Sequence, residues 1–95
     1  MTASGLDAGI QLAKMCRALG HPARVAIVRY LEACGRACPA GEIVAQVPLS
    51  QSAVSRHLRV LTDAGLLRAQ AAPPRVLYRL DESALEGFRR SAAAL

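Results

Sequence analysis

Apolar residues fall along the chain in blocks divided by helix and strand breakers, and the spacing inside each block predicts its element. Residues 6–19 read as a first helix in which Leu12, Cys16 and Leu19 form one apolar row and Leu6, Ile10 and Ala13 a second beside it. So wide an apolar face at a chain end exceeds what a small core can take, which points to a subunit contact. Pro22 suits the first position of a second helix, where its missing N–H would have been unpaired, and Ile27, Val28, Leu31 and Cys34 then line the inner face up to Gly35. A short third helix begins near Pro39, carries Ile43, Val44 and Val47 inward, and ends before Pro48.

From Ser50, a good N-cap, the pattern is clearest. Val54, Leu58 and Leu61 recur at i, i+4 and i+7, while Ser52, Ser55, Arg56 and Arg59 take the opposite face and Gly65 closes the helix. Leu66–Gln70 and Val76–Leu80 read as two short strands joined across Ala71–Arg75 as a hairpin with a stiff tip at Pro73 and Pro74. A last helix from Asp81 or Glu82 places Leu85, Phe88, Ala92 and Leu95 at steps of three, four and three, a second candidate for a dimer seam. The predicted order is α-α-α-α-β-β-α over a single domain, residues 1–95. This is a mostly α fold with a small β-hairpin, a winged helix-turn-helix made dimeric by its first and last helices.

Composition narrows the function. Ninety-five residues bury one modest core, too little for an enclosed catalytic cavity, and 53% apolar content without a long uninterrupted run excludes a membrane span. The N-terminus has neither an early basic cluster nor a continuous apolar region, so the expected location is cytoplasmic. No Gly-rich phosphate loop, His pair or oriented Ser, His and acid set points to an enzyme. The net charge of +5 is concentrated: residues 43–80 hold five Arg and one Asp, whereas the rest is nearly balanced. A polyanionic partner follows, and the polar face of the fourth helix is where it would be met. Ser50, Gln51, Ser52 and Ser55 supply hydroxyls and an amide for base edges or phosphates, and Arg56 and Arg59 supply guanidinium forks. His57 lies beside them or packs inward, and Arg68, Arg75 and Arg79 lie on the hairpin.

The stretches ALGHPARVAIVRYL (18–31), LSQSAVSRHLRVLTDAGLL (49–67) and VLYRLD (76–81) resemble the ArsR/SmtB family of winged-helix repressors. The resemblance implies a homodimer on double-stranded DNA, at an imperfect inverted repeat in a promoter, released when an inducer binds. It also implies that the first and last helices form the dimer, through Leu6, Ile10, Ala13, Leu85, Phe88, Ala92 and Leu95. The region around Gln51–His57 would read DNA, with the hairpin as the wing.

The inducer question turns on Cys16, Cys34 and Cys38. Arsenical sensors of the family carry a C-V-C-D-L type motif where this chain has Cys38-Pro39-Ala40-Gly41-Glu42-Ile43, which keeps one thiol, shifted by a residue. The family's zinc sensors use Asp, His and Glu on the last helix, and Asp81–Leu95 contains no His. What remains is Cys34-x-x-x-Cys38 with Cys16, soft donors for As(III), Sb(III) or a soft metal ion, or a redox pair. Against this stands a structural reading, in which Cys34 and Cys16 are core residues and Cys38 sits in an exposed loop. A repressor without an inducer and a winged helix that binds only protein are the alternatives.

Overall fold

Gly20, Gly35 and Gly65 each fall just past the end of a helix. The computed structural model describes residues 3–95, running α1 (Ala3–Ala18), α2 (Pro22–Cys34), β1 (Cys38–Pro39), α3 (Ala40–Val44), α4 (Gln51–Asp63), β2 (Leu67–Ala72), β3 (Arg75–Leu80) and α5 (Glu82–Ala93). The expected order is present with one addition. The hairpin gains a third antiparallel strand, giving the sheet order β1-β3-β2, because Cys38 pairs with Tyr78 and Pro39 with Leu77. A two-residue strand has no periodicity to read, so the sequence offered no sign of it. No helix among the described residues is long and apolar enough to cross a membrane.

Caps explain the boundaries. His21 is the N-cap of α2, its Nδ1 accepting from the Ala23 N–H at 3.1 Å, and Pro22 follows at the first helical position. Gly35 ends α2 at φ 65°, a left-handed conformation that glycine adopts without a Cβ penalty. Ser50 caps α4 through the Ala53 N–H, and Asp81 caps α5 through the Ala84 N–H.

The core is aliphatic. Ile27, Val28 and Leu31 of α2 meet Ile43 of α3, Val54, Leu58 and Leu61 of α4, Leu66 and Leu67 entering the sheet, and Leu80 and Leu85 beyond it. Three expectations change. Along α1 the buried residues are Met15 and Ala18, with Leu12 and Leu19 half-buried, whereas Cys16 is exposed. Met15 completes an i, i+3, i+7 stripe with Leu12 and Leu19 that runs against α5, and this stripe turns Cys16 outward. Cys38, expected in an exposed loop, has 0% exposure because β1 sets it into the sheet beside the core. Leu85, expected at a subunit seam, lies inside the protomer's own core, and Phe88 packs partly against it.

Residues 5–10 of α1 are all exposed. Leu6 and Ile10 are 70% and 57% exposed and Ala13 is exposed too, and the molecule extends 48 × 24 × 21 Å. Its radius of gyration, 14.1 Å, exceeds the value of about 12–13 Å for a compact chain of this length.

Leu58→Ala removes a side chain of 1% exposure from the anchor of α4. The expected loss of stability is about 2–5 kcal/mol, measured as a shift of the denaturant midpoint at fixed protein concentration. A loss below about 1 kcal/mol would show that this stripe does not anchor the helix.

Candidate nucleic-acid interface and thiol cluster

Because Val54, Leu58 and Leu61 are buried, the helical repeat turns Gln51, Ser52, Ser55, Arg56 and Arg59 to solvent, and all five are exposed. Ser50 also lies at this end, but its hydroxyl is engaged as the helix cap and stands 3.3 Å from that of Ser52. Arg59 leans toward Asp63 at 3.8 Å, an exposed pair that water screens. His57 takes the inward alternative. It is half-buried, its Nδ1 accepts from Arg24 Nε at 3.1 Å, and its ring centroid lies 4.4 Å from that of His21. Burial, then the charges of His21, Arg24 and Arg56, hold its pKa below the usual value. The neutral ring accepting from Arg24 fits that direction. Arg24 also donates to the Arg17 and Ala18 carbonyls at the end of α1, so one guanidinium joins α1, α2 and α4.

On the wing, alternation sends Tyr78 and Leu80 toward the core and Arg75 and Arg79 to the outer face. Arg68 lies directly opposite Arg79 in the register. Two cations there would repel, but Arg68 Nε donates to Asp81 Oδ2 at 2.9 Å, which offsets one of them. Among the described residues, Arg56, Arg75 and Arg79 have no acidic partner.

The cysteines divide two against one. Cys34 at the end of α2, Cys38 in β1 and Glu42 in α3 bring one ligand atom each within 4.8 Å of one another. Exposed Cys16 on α1 is outside this group. Arg36 closes over it: its guanidinium donates to Glu42 at 3.2 Å and 2.8 Å and to Cys38 Sγ at 3.2 Å. The Tyr30 hydroxyl also donates to Glu42. Arg36, and then Tyr30, hold the Glu42 carboxyl down at about 2. Burial, reinforced by a hydrogen bond with Cys34, pushes the Cys38 thiol up to about 11, so it is protonated at neutral pH. Three converging thiolates for a trivalent metalloid are therefore not assembled. Two thiols and a carboxylate are.

Comparison with known proteins places this geometry. Residues 19–70, more than half of the chain, match the family described as a helix-turn-helix domain. The chain is 35% identical to the HTH-type transcriptional regulator YgaV of Escherichia coli, over 82% of this chain and 78% of that protein. It is 37% identical to the HTH-type transcriptional repressor SmtB of Mycobacterium tuberculosis, over 70% of this chain and 48% of that longer one. The homodimeric winged helix-turn-helix DNA-binding domain Mb0332 of Mycobacterium bovis, a possible ArsR-family regulator, superimposes with a TM-score of 0.75. That match, at 23% identity, covers 99% of this chain and 83% of the other.

The chain belongs to the ArsR/SmtB family of winged helix-turn-helix transcriptional regulators. In this ArsR/SmtB protein α3 and α4 form the helix-turn-helix and β2–β3 the wing. The structure brings Gln51, Ser52, Ser55 and Arg56 together on one open face, while His57 turns away from it and Arg68 is committed to Asp81. Sequence reasoning found the thiols but missed Glu42, Arg36 and Tyr30. The four-residue steps Cys34, Cys38, Glu42 were the available signal, obscured because Gly35 interrupts the helix between them.

The depressed Glu42 pKa makes a pH prediction. Its stabilising contribution is complete above the ordinary carboxylate value of 4.5 and is lost as pH falls toward about 2. Acid titration of stability should therefore show a component over that interval that Glu42→Gln lacks, and identical profiles would contradict the Arg36–Glu42–Tyr30 arrangement.

Proposed function

We propose that the protein is a homodimeric repressor that inserts α4 into the major groove, lays its wing along the backbone, and is released through its Cys34–Cys38 pair. The carrying observation is the open face of α4, where Gln51, Ser52, Ser55 and Arg56 are exposed with no acidic residue among them. Hydroxyls and an amide at that end suit base edges, and Arg56 suits guanine or phosphate. Arg75 and Arg79 reach phosphates from the wing, with Arg59 and Arg68 secondary because each has a carboxylate nearby. The exposed Leu6, Ile10 and Ala13 of α1, with Ala92 and Leu95 at the end of α5, supply the dimer surface. Mb0332, which shares the fold, is homodimeric. Two-fold symmetry then asks for half-sites one or two helical turns apart.

A second reading keeps the repressor and removes the inducer. It is favoured by the complete burial of Cys38, which suits a packed thiol as well as a sensor.

Fluorescence anisotropy on the DNA upstream of the protein's own coding sequence tests the proposal. With three unpaired arginines in each protomer meeting about six phosphates per dimer, the log–log salt dependence should have a slope of about −5. Arg56→Ala should flatten it by about 2, since the dimer carries two copies. A salt-independent signal would end the DNA reading. Persistence of thiol-reagent release in a Cys34→Ser, Cys38→Ser protein would leave the repressor and exclude these two cysteines as its switch.

A further inference from the structure

Three cations meet over an apolar floor where the end of α1, the start of α2 and the end of α4 come together. Lys14, Arg17 and Arg24 line a cleft of about 300 Å³ whose other walls are Ala18, Val60 and Ala64, with Asp63 as its single acid. Lys14 and Arg17 are exposed, and among the described residues neither has a carboxylate partner. Asp63 stands 3.8 Å from Arg59, a cation outside the cleft, so its charge is shared. Arg24 gives Nε to His57 and Nη1 to the Arg17 and Ala18 carbonyls, which leaves Nη2 without an acceptor among the described residues. Its guanidinium is thereby held in place while one terminal nitrogen stays available.

We propose that this cleft binds a small organic anion, a carboxylate carried on one apolar ring or branched chain, with its charge on Lys14, Arg17 and Arg24 and its apolar body on Val60 and Ala64. Charge sets the sign of the ligand, because a cleft lined by one sign of charge concentrates the opposite one. A guanidinium meets a planar carboxylate through two parallel N–H bonds, and a lysine adds a point charge. Size sets the class. Small-molecule sites begin at about 300 Å³ and combine mostly apolar walls with a few convergent polar groups.

A DNA phosphate would satisfy the cations but has no apolar part to cover Val60, which is 36% exposed. Val60 and Ala64 also lie about 140° and 180° round α4 from Ser55, on a different flank from the one offered to the groove. The site shares no residue with the thiol cluster, so it stands apart from both arms of the function proposed above. Its link to α4 is Arg24, the guanidinium that joins α1, α2 and α4 through His57 and the two carbonyls. An anion on Arg24 therefore loads the contact that references α4 to α1.

The test titrates the isotope-labelled full-length protein with sodium salicylate at constant ionic strength, following amide resonances by NMR. Neutral salicylamide and sodium phosphate are run in parallel. Salicylate should give saturable shifts centred on Ala18, Val60 and Ala64, and the other two should bind at least about fivefold more weakly. Lys14→Gln and Arg17→Gln should each weaken salicylate about two- to fivefold, and the double variant about tenfold. Each variant's own spectrum checks its fold, and Val60→Ser, expected to weaken binding about threefold, probes the floor if a charge variant does not fold. Burial and the charges of His21, Arg24 and Arg56 hold the His57 pKa down, so an anion beside Arg24 should move the His57 imidazole titration to higher pH. An unmoved titration at saturating salicylate removes Arg24 from the site. Equal binding of salicylamide overturns the role of charge, and equal binding of phosphate overturns the apolar body. Shifts centred on Leu6 and Ile10 instead, an unaffected double variant, or no saturable shift at all overturns the site.

Discussion

Helix α4 is held to the domain by one narrow stripe, Val54, Leu58 and Leu61, and the rest of the molecule is arranged around keeping its other side bare. Successive residues of a helix are rotated by about 100°, so moving this stripe by one position would bury Ser55 and send an aliphatic side chain to the solvent face. Aliphatic packing fixes the helix about its own axis more firmly than any polar contact could at an exposed surface. The Arg24–His57 hydrogen bond adds a lateral stop, and because Arg24 also holds the last carbonyls of α1, the orientation of α4 is referred to α1.

The two polar systems of the protein are organised in opposite ways. On the exposed face of α4 and the wing, Arg56, Arg75 and Arg79 are left without carboxylates and stay solvated, where water makes their mutual repulsion tolerable. Around Cys38 the charges are gathered and matched. Arg36 and Tyr30 both serve Glu42, and no buried side-chain polar atom among the described residues lacks a partner. A matched cluster of this kind is rigid until a competitor for one of its members arrives, which suits a junction where α2, α3 and the sheet meet.

Much of this was legible in the amino-acid sequence. The 3.6-residue period of Val54, Leu58 and Leu61, the stops at Gly35 and Gly65, and the alternation of VLYRL define the helix-turn-helix and the wing without coordinates. What escaped depends on contacts between residues far apart in the chain. Strand β1 exists only because β3 offers it an edge, and that pairing decides the burial of Cys38. Cys16 and Met15 are adjacent and both apolar, and only the position of α5 decides which one turns inward. His57 faces Arg24 across 33 residues, a relation that no local spacing encodes.

One carboxylate connects parts of the protein with different tasks. Asp81 receives the first turn of α5 on one oxygen and the guanidinium of Arg68, from the wing, on the other. Its backbone N–H meanwhile donates to Leu66, just after the end of α4. The start of α5 and the wing thus share a single pivot. A shift of the first turn of α5 therefore bears on the Arg68 contact of the wing through one side chain, beside the aliphatic core.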